Sequence, residues 1–103
     1  MATRQRLPNR RHASTFDFEH AGLKYTATVG RFADGRPAEL FISNHKSNSS
    51  ADVGARDAAI LASFALQFGA DLDLIRKALS RDSQGRPSGV VGAALDIIAK
   101  GAT

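Results

Sequence analysis

The hydrophobic period of this chain changes once, near residue 50, and that change limits the folds open to it. Upstream, Phe16 and Phe18 alternate with polar residues, and Leu23, Tyr25, Ala27 and Val29 alternate with Lys24, Thr26 and Thr28. A period of two marks half-buried antiparallel strands. Downstream, apolar residues recur every three or four positions, as on amphipathic helices. Strands followed by helices specify an α+β domain, a sheet covered by helices on one face.

Turn residues divide the two halves. His20-Ala21-Gly22 and Asp34-Gly35 join three strands, within about residues 14–43, into a meander whose last strand is Pro37–Ser43. Helices are expected over about 52–68, 71–80 and 88–100. The first offers Val53, Ile60, Leu61, Phe64 and Phe68 as its inward stripe, with alanines filling the sides and Gly69 as its stop. Being apolar nearly all round from Ala58 onward, it is expected to be the buried helix. Asp71 caps the second helix, which turns Leu72, Ile75 and Leu79 inward and Arg76 and Lys77 outward. Ser88 caps the third, which buries Val91, Ala94, Leu95 and Ile98 and pairs Asp96 with Lys100.

With 103 residues and no cysteine, the chain fits one domain that folds without disulfides. Thiolate metal sites and reactive thiols are excluded with them. No apolar run is long enough to span a bilayer, and the N-terminus lacks the apolar stretch of a secretory signal, so a cytoplasmic protein is expected. Fourteen basic residues face ten acidic ones, a formal charge of +4. Arg4, Arg6, Arg10 and Arg11 supply that excess, which leaves the rest of the chain formally neutral. Residues 1–13 therefore read as a basic, mobile arm ahead of a domain over 14–103.

The join between third strand and first helix is the first candidate site. Asn44, His45, Lys46, Ser49 and Ser50 surround a helix N-terminus, whose free N–H groups suit phosphate or carboxylate. The bland alternative is a capped helix under a polar surface loop. Glu39, on the third strand, is either an acid lining that site or a solvent-facing charge. Arg56 and Asp57 read as a local ion pair at the helix rim. His12, His20 and His45 lack metal-ligand spacing, so no metal and no cofactor are expected. A nucleic-acid reading would use Arg4, Arg6, Arg10 and Arg11 with Arg76, Lys77 and Arg81, around a helical corner at Phe68–Asp71.

The segment Gly35-Arg36-Pro37-Ala38-Glu39-Leu40-Phe41-Ile42 is followed by Lys46 and a small-residue loop. An alanine-rich helix, Gly69, the Leu72/Ile75/Leu79 helix and Gly92 ahead of Asp96-Ile97-Ile98 come next. Over about residues 23–100 this order resembles the TSCPD domain, found at the C-terminus of adenosylcobalamin-dependent ribonucleotide reductases and as small free-standing proteins. Glu39, Phe41, Lys46, Gly69 and Gly92 match the pattern, and Asp96 matches its acidic end. The Thr-Ser-Cys-Pro-Asp string itself is absent. The resemblance implies an accessory domain in nucleotide reduction without a catalytic role of its own.

The expectation is therefore a non-catalytic module that binds an anionic ligand or a protein partner, a reductase included, near Lys46. Nucleic-acid binding through the arm is the alternative. A homodimer is a further option, through pairing of Pro37–Ser43 if that strand lies at a sheet edge.

Overall fold

The computed structural model describes residues 3–101. Three strands, β1 (Ala13–His20), β2 (Leu23–Arg31) and β3 (Pro37–Asn44), precede α1 (Ser50–Gln67), α2 (Leu72–Ala78) and α3 (Val90–Ala99). The strands form an antiparallel sheet in the order β1-β2-β3, the expected meander. Ala21 and Gly22, both at positive φ, make a two-residue turn between His20 and Leu23, which pair across β1 and β2. The register slips between Gly30 and Arg31, just before the turn carrying Gly35.

Tyr25, Ala27 and Val29 of β2 and Leu40 and Ile42 of β3 bury one sheet face. Helix α3 closes over it with Val91, Ala94, Leu95 and Ile98, the residues its periodicity named. On β1, Phe18 stacks on Tyr25 with ring centroids 5.5 Å apart. Gly89, which has no side-chain cap, occupies the N-cap of α3 in place of Ser88. The Ser88 amide instead bonds the Ser80 carbonyl, holding the loop between α2 and α3 closed.

Helix α1 reverses the expected orientation. Its buried residues are Asp52, Ala55, Ala59, Ala62, Ser63, Leu66 and Gln67. Val53, Ile60, Leu61, Phe64 and Phe68 stand 44% to 69% exposed. Both sets repeat at helical spacing, so periodicity alone does not choose between them. Packing chooses. Successive residues of an edge strand direct their backbone groups alternately toward the sheet and away from it. On β3 the outward groups meet α1: Ser63 Oγ accepts from Leu40 N (2.8 Å), and its one proton is within reach of both Leu40 O (3.0 Å) and Ala59 O (2.9 Å). Gln67 Nε2 donates to Ala38 O (3.0 Å), and Asp52 Oδ1 accepts from Asn44 N (2.9 Å). Bonds of that length need a close helix, and alanines permit one where leucine or phenylalanine would hold it away. The edge pairing proposed for Pro37–Ser43 is therefore unavailable to a second copy, because α1 already occupies it.

Replacing Ser63 with alanine strips the buried Leu40 N–H of its partner and should cost about 1–3 kcal/mol. Ala59→Leu should cost a similar ~1–3 kcal/mol by overpacking. Leu61→Ala should change stability by no more than about 0.5 kcal/mol. Urea unfolding of the three variants in dilute solution checks the orientation. The expected order reverses if the large side chains face the core.

Candidate functional site

The loop between β3 and α1 is organised by a carboxylate that the sequence reading left out. Asp52, 3% exposed, accepts from Asn44 N through Oδ1 and from Asn48 N through Oδ2, both at 2.9 Å. These two N–H groups, with Arg56 beyond them, hold its carboxyl below the usual aspartate range. Ser49 is the N-cap of α1; its Oγ accepts from Asp52 N (3.1 Å) and donates to Lys46 O (2.7 Å). The Ser-x-x-Asp spacing of residues 49–52 is a capping signal readable from sequence. Its further reach to Asn44 is not, since that depends on where β3 ends.

The anion-site residues divide accordingly. Asn44 is buried; its Oδ1 accepts from Lys46 N (2.9 Å), and its Nδ2 has no partner among the described residues. His45, Lys46 and Ser50 are exposed. Asp52 places a built-in negative charge on the first turn of α1, where an external anion would otherwise bind, so a small anion gains little there. Glu39 lies elsewhere. It faces Gly30 across the sheet, whereas Asn44 faces Tyr25. A Cβ at Gly30 would come within 2.5 Å of Glu39 Oε1, so glycine makes room for that carboxylate. Arg11 Nε donates to Glu39 Oε1, tying the N-terminal segment to β3.

That segment is not free along its length, as the mobile-arm reading expects. Gln5 N donates to Gln67 O (2.7 Å), and Arg4 Nε donates to Gln67 Oε1. The Arg4 guanidinium also lies 5.0 Å from the centre of the Phe64 ring. Of the cations assigned to nucleic acid, Arg4 and Arg11 are thus engaged by the fold. So are Arg76 and Arg81, which converge on Asp96 at 2.8–3.0 Å. Asp96 pairs with these arginines in place of Lys100, and they lower its pKa to about 2. Arg56 pairs with Asp52 (3.8 Å), not with Asp57.

One constellation on the outer sheet face has the residue types of a hydrolase. Thr26 Oγ1 donates to Asp17 Oδ1 (2.6 Å) and lies 3.0 Å from His45 Nε2. In a nucleophilic triad the histidine stands between hydroxyl and carboxylate and removes the hydroxyl proton. Here the hydroxyl stands between the other two and donates its hydrogen bond to the carboxylate, so the order is not that of a triad. No group of three or more His, Asp or Glu residues able to hold a metal occurs among the described residues.

A further candidate surface is apolar. Ile60, Leu61, Phe64 and Phe68 form an exposed stripe along α1, and Phe41 on β3, 53% exposed, shares a groove with Ile60 and Phe64. Monomeric domains seldom leave a contiguous patch of this kind uncovered.

Over 70 residues, 68% of its length, the chain is 37% identical to the vitamin B12-dependent ribonucleotide reductase of Agrobacterium fabrum. It is 36% identical over 72 residues to that of Rhodopirellula baltica. The chain is related to a segment of B12-dependent ribonucleotide reductases. It spans only 6% of the first relative and 7% of the second. No protein-family model matches it, and no solved structure matches it significantly. The cleft beside His45, lined also by Asp17, Phe18, Glu19 and Lys24, measures about 380 Å³. It is an open surface cleft and does not enclose a corrin ring. No helix among the described residues is long and apolar enough to cross a membrane.

The Asp96 cluster gives a pH signature. Its folded pKa of about 2 lies below the ordinary aspartate value, so its contribution is complete above about pH 4. The contribution is lost as the pH falls toward about 2. In acid titrations of stability, the gap between wild type and Asp96→Asn should narrow across that window. A gap independent of pH would contradict the assignment.

Proposed function

We propose that this domain is a non-catalytic accessory module of ribonucleotide reduction that works by contact with protein. The exposed stripe on α1 carries the reading, because burial of large apolar side chains is the main source of protein–protein affinity. Three further features support it. The relatives carry this segment as a small fraction of a much larger reductase polypeptide. The chain has no cysteine with which to reduce a nucleotide. The Thr26, His45 and Asp17 side chains do not stand in the order of a nucleophilic triad.

The exposed loop with His45, Lys46 and Ser50 lies beside the N-terminal end of the same helix. Its role in this reading is to add polar contacts at the rim. A discrete phosphate pocket is not required.

The test is binding to a purified B12-dependent ribonucleotide reductase, followed by calorimetry or surface resonance. Wild type should bind, and Leu61→Asp should weaken binding roughly ten-fold or more. Lys46→Ala should weaken it by less, about the few-fold effect of a rim charge. Ribonucleotide turnover by the domain alone, or binding indifferent to Leu61→Asp, would contradict the reading.

A further inference from the structure

The hydrogen-bond pattern of the sheet sets its two edges apart. Arg31 N donates to His12 O (3.0 Å), so the pair just ahead of β1 is a bonded one. Bonded and non-bonded pairs alternate along an antiparallel ladder. In the register of β1 on β2, Ser14, Phe16, Phe18 and His20 therefore bond across to Val29, Ala27, Tyr25 and Leu23. Ala13, Thr15, Asp17 and Glu19 direct their N–H and C=O groups the other way, off the sheet, and all of them are exposed. No hydrogen bond among the described residues joins those backbone groups to another element. The β3 edge is sealed by α1, whereas β1 runs its eight residues with neither a proline nor a register shift to blunt it. Its charges, Asp17 and Glu19, are the protection it has, and charge is selective.

A strand laid along β1 meets two rows of side chains. On the outer face stand Thr15, Asp17 and Glu19; on the inner face stand Phe16 and Phe18, half-buried against the core. Asp17 accepts from Thr26 through Oδ1 alone. Glu19 forms no ion pair among the described residues, although Lys24 is its partner in register. A second copy fits this edge poorly. The antiparallel pairing that uses every outward group sets Thr15 opposite Asp17, which leaves the two Asp17 carboxylates on neighbouring diagonal positions. A shift by one further pair sets them directly opposite, and like charges so placed are destabilising. Nor is the basic N-terminal segment of another copy at hand, since Arg4 is bonded to Gln67 and Arg11 to Glu39.

We infer that β1 is an acceptor edge for an extended segment of another protein, in which basic and apolar residues alternate. The basic residues lie beside Asp17 and Glu19, and the apolar ones complete the burial of Phe16 and Phe18. Main-chain bonds to the outward groups supply affinity, and the alternating side chains supply selectivity. This edge is on the far side of the sheet from β3 and α1. The inference therefore goes beyond the contact role of α1 and stands apart from it.

The test uses the full chain and a synthetic peptide of alternating lysine and valine, as long as the eight residues of β1. Amide exchange followed by nuclear magnetic resonance should slow at Thr15, Asp17 and Glu19 when the peptide is added. The amides of Phe16 and Phe18, already bonded to β2, should not change. A control peptide with glutamate in place of lysine should bind roughly ten-fold more weakly. Asp17→Lys combined with Glu19→Lys should reverse that preference. Thr15→Pro removes an outward N–H that the fold does not use, so the variant should stay folded by circular dichroism and weaken peptide binding roughly ten-fold. Leu61→Asp should leave peptide binding unchanged, which separates this edge from the α1 surface. Equal affinity for the two peptides, protection elsewhere than on β1, or a folded Thr15→Pro variant that binds as wild type would overturn the inference. So would a dimer in which the Thr15 and Asp17 amides are protected without peptide, because the occupant would then be a second copy.

Discussion

The free edge of β3 is where the architecture is decided. An edge strand carries unpaired N–H and C=O groups that must be bonded by water, another strand or side chains. Here Ser63, Gln67 and Asp52 of α1 supply the bonds. The bonds require a helix whose facing residues are small, which Ala55, Ala59 and Ala62 satisfy. The large residues of α1 are thereby left in water. One requirement thus accounts for the buried polar side chains of the helix, for its alanines and for its exposed stripe.

Much of the fold was legible beforehand for an identifiable reason. The strands alternate strictly, their turns carry Gly22 and Gly35, and α3 has a single apolar stripe. Each of these signals is local. On α1 the signal was ambiguous, because weighting residues by hydrophobicity favours Phe64 and Leu61 over Ala59 and Ala62. Only the third dimension shows that the partner is a strand edge, which rewards smallness and hydrogen bonding. Asp96 was misassigned for a similar reason: its local neighbour Lys100 is weaker company than two arginines brought in from α2 and the following loop. The reach of Asp52 to Asn44, and the tie of Arg11 to Glu39, likewise join residues whose proximity no local pattern records.

The same internal bookkeeping shapes the functional reading. Several charged groups that looked available for ligands are committed to the fold: Glu39 and Arg11 to each other, Arg4 to Gln67, and Arg76 and Arg81 to Asp96. The domain also leaves apolar surface exposed on one helix. Chemistry needs an activated group and a pocket that excludes water, whereas contact needs a rigid face. The face is present, held in place by a helix anchored along its opposite side. The proposed contact role draws on that face and on the relation to a small segment of a large reductase.

Native-state hydrogen exchange at the Leu40 amide tests the edge seal most directly, because that N–H points away from β2 toward Ser63 Oγ. A sealed edge predicts exchange as slow as the amides bonded between β2 and β3, governed by global unfolding. Exchange as fast as that of solvent-facing strand amides would mean that α1 does not close this edge, and its small-faced orientation would have to be given up.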